Sequence, residues 1–290
     1  MSKKKQQQKK KQKQQQRGAN RNKLIAIAAA CAAVVIAVVL ILLVGRSPVV
    51  TIPDPNLNTA IRETLNKPSG DIHEAELAHL QSLEATHAGI KDLSGLQYCT
   101  GLEHLFLENN NITDISPLAT CTALTELGLA NNNITNISSL ADLTNLENLE
   151  LDFNQVSDIS PVVHLTNLDA VTIESNQVSD ISPLASLANL RIVYLPSNRI
   201  SDVSPLASLA DLAILNLDSN RISDVSPLVA LVNLKYLSLA SNQITDISSL
   251  VANTGISAGD SVTLAGNPLS PESLLIYIPE LQARGVTVNQ

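Results

Sequence analysis

Leucine recurs every 22 residues from Leu80 through Leu102, Leu124, Leu146, Leu168, Leu190 and Leu212 to Leu234, without a miss. Eight positions after each leucine from Leu102 onward stands an asparagine: Asn110, Asn132, Asn154, Asn176, Asn198, Asn220 and Asn242. Two chemistries held in one register exceed chance, and a fixed period in this range marks a solenoid, in which no unit buries its apolar face without a neighbour. The consensus, followed for example from Leu190 to Asp211, is Leu-x-x-Leu-x-Leu-x-x-Asn-x-Ile-x-Asp-Ile-Ser-Pro-Leu-x-x-Leu-x-x.

Each part of the unit has a physical reading. Alternation at positions four to six, as in Leu215-Asn216-Leu217, is the period of a short strand with one buried face, and stacked copies make a parallel sheet. The asparagine turns the chain where its side chain can satisfy backbone groups of neighbouring units. Ser-Pro, at Ser116-Pro117 and four later places, is expected to start a short 3₁₀ helix, with serine as the cap. Apolar positions 1, 4, 6, 11, 14, 17 and 20 are expected to point inward, leaving no large cavity.

Charge divides the chain before the repeats begin. Residues 1–23 hold ten Lys or Arg and no acid, whereas the rest holds nine bases and all 27 acids, so a +10 tail precedes a body of about −18. The Lys- and Gln-rich tail cannot bury apolar surface, and a disordered segment is expected there. Residues 24–44 are an uncharged apolar run, about 31 Å long as a helix against roughly 30 Å of hydrocarbon core, and read as a retained transmembrane helix rather than a cleaved signal. Basic residues crowd its N-terminal side, which predicts a cytoplasmic tail, resting on anionic lipid, and repeats outside the cytoplasm.

Residues 45–79 read as a linker and N-terminal helical cap. Asp54 precedes Pro55, and Leu57, Ile61 and Leu65 follow at helical spacing; a second helix is expected from about His73 to His79. Residues 80–269 then carry about nine repeats. After Ile256 the next strand, Val262-Thr263-Leu264, arrives three residues late. Residues 270–290 are expected to close the array with a helix from Ser270-Pro271 to about Ala283, bent near Pro279, and a final strand released by Gly285. This cap should cover the last core layer and blunt the sheet edge.

The unit resembles the 22-residue bacterial leucine-rich repeat of the internalin type, over about residues 52–290. The resemblance implies an α/β leucine-rich-repeat solenoid with a concave parallel β-sheet and a short 3₁₀ or irregular convex side, capped at both ends; the one transmembrane helix expected before it, and the basic tail, lie outside the resemblance. It also implies action by binding, usually to another protein, and no cofactor. No catalytic domain, immunoglobulin-like spacer or sorting signal is expected, since the chain ends soon after the repeats.

Function must lie where the repeat does not dictate the residue, at positions 3, 5, 7 and 8, which face the concave side. There stand Glu84, His87, His104, Phe106, Glu108, Glu126, Glu150, Asp152, Phe153, Glu174, Tyr194, Asp218 and Tyr236, seven acids and four of the chain's six aromatic residues. Aromatics on a rigid sheet anchor partners and acids steer them, so a basic or mixed-charge protein or peptide is the expected ligand. The alternative is that the acids only keep the array soluble and the aromatics only shield the sheet. Cys99 and Cys121 share position 20 in adjacent units, near enough for a disulfide and equally suited to stand as two buried thiols in place of leucines.

No zinc-protease helix, nucleophile elbow or phosphate loop occurs, so no enzyme is expected. His87 and His104 beside Glu84 and Glu108 make only a weak metal constellation. The acidic body disfavours nucleic acid as a partner of the repeats. Two function classes remain: an adhesive or scaffolding module displayed by one helix, and a sensor that couples an outside ligand to a membrane or cytoplasmic partner. Oligomeric state is not legible.

Overall fold

The computed structural model describes residues 47–290. The tail and the apolar run at 24–44 lie outside the described residues. Among those described, no helix is long and apolar enough to cross a membrane. The described residues divide into two units, residues 50–72 with 76–290, and residues 47–49 with 73–75. In the second of these, the His73 Nδ1 atom lies 2.9 Å from the Ser47 carbonyl oxygen.

The larger unit is the solenoid. Its sheet has ten parallel strands in sequence order, from Ser82–Glu84 to Thr287–Asn289, each three residues long. From Ser82–Glu84 to Tyr236–Ser238 adjacent strands pair at an offset of 22, as in Leu127 with Leu149 and Val193 with Leu215, so equivalent side chains stack in rows; the last two pairings, Tyr236 with Ser261 and Ser261 with Thr287, are longer. The inward residues of one unit, Leu190, Val193, Leu195, Ile200, Val203, Leu206 and Leu209, are all at most 1% exposed. They join a single apolar core that runs through the whole array.

The asparagines tie the units together. Asn154 Oδ1 accepts from the Ile134 N–H at 2.9 Å, while its Nδ2 donates to the carbonyls of Leu129 and Leu151 at 2.9 and 3.1 Å. Asn176, Asn198, Asn220 and Asn242 repeat the arrangement one unit later each time. The delayed Asn267 serves the same purpose, accepting from Ile244 N–H across 23 residues instead of 20.

Serine is not the cap of the 3₁₀ helices. The aspartate two residues earlier does this work: Asp158, Asp180 and Asp224 Oδ1 accept from the N–H groups of Ser160, Ser182 and Ser226, each at 2.8 Å. Serine instead occupies the first helical position, beside proline, so its own N–H is one of the donors that need a partner. These serine donors hold the three carboxyls below the usual range.

The N-terminal helix runs from Pro55 to Thr64, with Leu57 and Ile61 buried. Its cap Asp54 accepts from Asn56 and Leu57 N–H through Oδ1, and from Lys91 and Asp92 N–H through Oδ2. One carboxylate thus joins helix and first repeat. The next helix, Glu74–Leu77, is shorter than the expected span. Burial pushes the Asp54 pKa up, but its four backbone donors outweigh this and leave it below the ordinary value. Its contribution is therefore present above the ordinary carboxylate range and is lost as pH falls through the depressed folded value. Asp54→Ala is expected to cost about 3 kcal/mol at neutral pH, with the deficit shrinking in acid, as urea unfolding at pH 7 and below pH 3 will show.

At the other end, the bend expected near Pro279 takes a particular form. Proline has no N–H for the carbonyl four residues back, and the preceding turn, Ser273–Tyr277, widens to a π-helix before Ile278–Ala283 resumes the α form. Ile278, Leu281 and Val286 close the last core layer. The edge is not covered: Thr287–Asn289 adds one more parallel strand beside Ser261–Thr263. Gly285 permits the turn with φ +87°, and a Cβ there would meet Ala258 at 2.9 Å.

Candidate functional site

Strand geometry puts positions 3 and 5 on the open face of the sheet and position 4 in the core. In register along position 5 lie Phe106, Gly128, Glu150, Thr172, Tyr194 and Asn216. Position 3 places Ile192, Ile214 and Tyr236 side by side. Of the expected residues, Glu84, Glu150, Phe153 and Tyr236 are exposed and His104, Phe106, Glu108, Glu126, Glu174 and Tyr194 half-buried.

Two of the expected binding acids are structural. Asp152 accepts from the Glu174 N–H at 2.5 Å and the Thr172 hydroxyl at 3.1 Å; Asp218 accepts from the Ala240 N–H at 2.6 Å and the Ser238 hydroxyl at 2.7 Å. Both stand at position 7, where an aspartate is short enough to stitch the next strand. Glutamates on this face make no such bond, and Glu108 Oε2 is a buried oxygen without a hydrogen-bond partner.

The acids crowd one end. Between Lys91 and Arg191 there are 13 acids and no Lys or Arg. Burial, then the charges of Asp152 and Glu108, raise the pKa of Glu150; burial and Asp152 raise that of Glu174. Ionisation is thus penalised in the folded state, and the penalty grows as pH rises through the raised values. A cation brought to this end would relieve it.

The other end is apolar and aromatic. Tyr194 shares a hydrogen bond with Asn216, and burial and then the charge of Glu174 raise its pKa. Sequence reasoning missed Ile192 and Ile214, although half-buried isoleucine at position 3 was visible in the register. It also missed Gly128, whose signal was a glycine within a strand, the mark of close approach by another group. A Cβ at Gly128 would stand 1.9 Å from Glu108 Oε1. The Glu108 carboxylate thus covers Gly128, and beside it lies a depression of about 240 Å³ lined by Phe106, Glu126, Asn148 and Glu150.

Phe153 is distinct on other grounds. Position 8 is left-handed in every unit, and the other occupants are His87, Asn109, Asn131, Ser175, Ser197, Ser219 and Ser241. Asparagine tolerates this backbone, whereas a bulky aromatic at φ +54° is strained. Phe153 is nonetheless 47% exposed, so core packing does not explain it.

A larger cavity of about 520 Å³ lies at the N-terminal helix, lined by Arg62, Lys67 and neighbours. Its cations are already engaged, Arg62 with Asn58 at 2.7 Å and Lys67 with Glu76 at 2.8 Å. His87 and His104 form no metal centre: among the described residues no three or more His, Cys, Asp or Glu are grouped to hold one.

Cys99 and Cys121 are free buried thiols rather than a disulfide. Cys121 Sγ donates to the Leu96 carbonyl at 3.3 Å, so each fills a leucine site without a bond between them. Burial, helped for Cys99 by its neighbour, pushes their pKa values up to about 12 and about 11. At pH 8 roughly one Cys121 in a thousand is thiolate, so alkylation of the native chain should spare both residues. Unfolding without reductant should then label both, and peptide mapping will distinguish them from Cys31.

The repeats match the family described as Leucine Rich repeats (2 copies) at residues 78–120, 122–164 and 211–252. No curated protein matches the chain by sequence. Among solved structures, the chain is similar to an internalin (inlF) from Listeria monocytogenes, at 35% identity and TM-score 0.76, covering 82% of this chain and 69% of that one. Internalin C2 from Listeria monocytogenes is similar at 36% identity and TM-score 0.68, covering 75% and 94%. A leucine-rich-repeat protein from Leptospira interrogans shares the fold at 22% identity and TM-score 0.66, covering 75% and 62%.

Proposed function

Because the chain belongs to the internalin family of leucine-rich-repeat proteins, we propose that it is a membrane-anchored binding protein that holds a protein or peptide partner against the open face of its sheet, outside the cytoplasm. Leucine-rich-repeat proteins generally bind other proteins, and internalin-like relatives are typically not enzymes. The observation that carries the reading is the open face itself. It joins an acidic end with Glu108, Glu126 and Glu150 to an aromatic end with Tyr194 and Tyr236, and Phe153 stands between them at a strained position. Solubility alone requires no exposed aromatics and no segregation of charge. The partner is basic over part of its contact, and its role is adhesion or local scaffolding in the envelope.

The anchor at residues 24–44 rests on its length and lack of charge, and the tail on its ten bases meeting anionic lipid. A membrane-impermeant amine reagent applied to intact cells tests the orientation. Lys91 and Lys235, both exposed, are expected to be labelled and the lysines of residues 3–23 protected. The reverse pattern would overturn it.

A further inference from the structure

We propose that the depression at Gly128 receives an arginine side chain of the partner, its guanidinium lying against Phe106 and paired with the carboxylates of Glu150 and Glu126. The inference rests on the open-face reading and narrows it to one residue type. The strand geometry makes the site: Phe106, Gly128 and Glu150 are consecutive rungs of position 5, so an aromatic face and a carboxylate flank a residue without a side chain. Adjacent parallel strands are about 4.8 Å apart, so the strands of the two walls are about 9.6 Å apart, which leaves room for one planar cation between the ring and the carboxylate. Glu126, two residues before Gly128 and so on the same face, adds a second carboxylate to the wall.

Three independent features favour a cation here. The segment from residue 92 to 190 has 13 acids and no Lys or Arg to neutralise them. Glu108, whose Oε1 sits over the Gly128 backbone, keeps its other oxygen buried and unpaired. The only aromatic in the wall is Phe106, which has no polar group of its own and offers only its ring. Guanidinium fits better than ammonium on two counts. It is planar and weakly hydrated, so it stacks on a ring, and its fork of donors reaches two carboxylates at once.

The chain's two phenylalanines, Phe106 and Phe153, make the test direct. The full chain in mild detergent, labelled with 4-fluorophenylalanine, gives two ¹⁹F lines, assigned with Phe153→Leu. The probes are acetylarginine amide, acetyllysine amide and the uncharged isostere acetylcitrulline amide, at one ionic strength. Acetylarginine amide is expected to move the Phe106 line saturably and leave Phe153 unmoved. Acetyllysine amide should bind at least threefold more weakly and acetylcitrulline amide should have no effect. Gly128→Val, which would push the Glu108 carboxylate aside into the depression, and Glu150→Gln, which leaves the backbone alone, should each weaken the arginine probe at least fivefold. Equal responses to arginine and lysine or to arginine and citrulline, or an unchanged response in Glu150→Gln, would overturn the proposal. If those variants still recover the natural partner while replacement of the four face aromatics abolishes recovery, the arginine site fails and open-face binding stands.

Discussion

Asn154→Ala is expected to lower the unfolding free energy by about 3 kcal/mol, although the side chain touches no ligand and lies under the sheet's turn. The effect follows from which partners are replaceable. The carbonyls of Leu129 and Leu151 keep a second donor when Asn154 is lost, from Asn132 and Asn176. The Ile134 N–H has Asn154 Oδ1 at 2.9 Å and is fully buried with its residue, so it is orphaned. A buried donor without a partner costs about 1–3 kcal/mol, and the weakened carbonyl bonds and the void add to that. Gln155→Ala, on the exposed next residue, is the control and should change stability by no more than about 0.5 kcal/mol. Urea denaturation of both variants measures the difference. A deficit below about 1 kcal/mol for Asn154→Ala would mean that the ladder adds little beyond the leucine core.

The second large effect is on binding. Phe106, Phe153, Tyr194 and Tyr236 changed together to Ala should weaken the partner complex by at least about a hundredfold, since buried aromatic anchors commonly contribute about 2 kcal/mol or more each and their losses do not simply add. Phe153 and Tyr236, 47% and 38% exposed, should add little to any loss of stability, and the half-buried Phe106 and Tyr194 most of it, with the fold retained. Phe153 sharpens the distinction. Phe153→Asn installs the residue that Asn109 and Asn131 already supply in this left-handed position, so it should leave the fold equal or slightly more stable while reducing affinity. A side chain that costs backbone strain and stays 47% exposed has its use outside the fold.

The repeating positions were legible because they are redundant: eight copies of one leucine and seven of one asparagine report the same inward face and the same turn. Single positions were harder. Ser-Pro suggested a serine cap, but the cap is Asp158 for Ser160, because a side chain can accept from a helix donor only from outside the helix, and serine is inside it. Asp152 and Glu174 looked alike as acids at position 7, yet one methylene decides which carboxylate reaches the next strand and which stays free. Ile192 and Ile214 stand at position 3, on the open face, but isoleucine favours any strand, so its presence there does not by itself signal a partner. The pair Cys99 and Cys121 had the spacing of a bond, but spacing permits a disulfide without requiring one, and both thiols are free. Near Pro279 a break in the regular helix is legible in sequence but its π-helical form is not, since the missing N–H fixes where a helix must adjust but leaves open how.

The central claim is that the 22-residue register supplies the fold and the open face of its sheet supplies the binding. Affinity capture from intact cells, followed by titration of the recovered partner, tests it most directly when three chains are compared. These are the wild type, the four-aromatic variant, and Val229→Ser with Val232→Ser, which changes exposed apolar residues away from the sheet strands. The partner is expected to be recovered by the wild type and the valine variant alike and lost from the four-aromatic variant, with all three chains folded and each unfolding in one cooperative urea transition. Equal recovery by the four-aromatic variant, or loss confined to the valine variant, would contradict it.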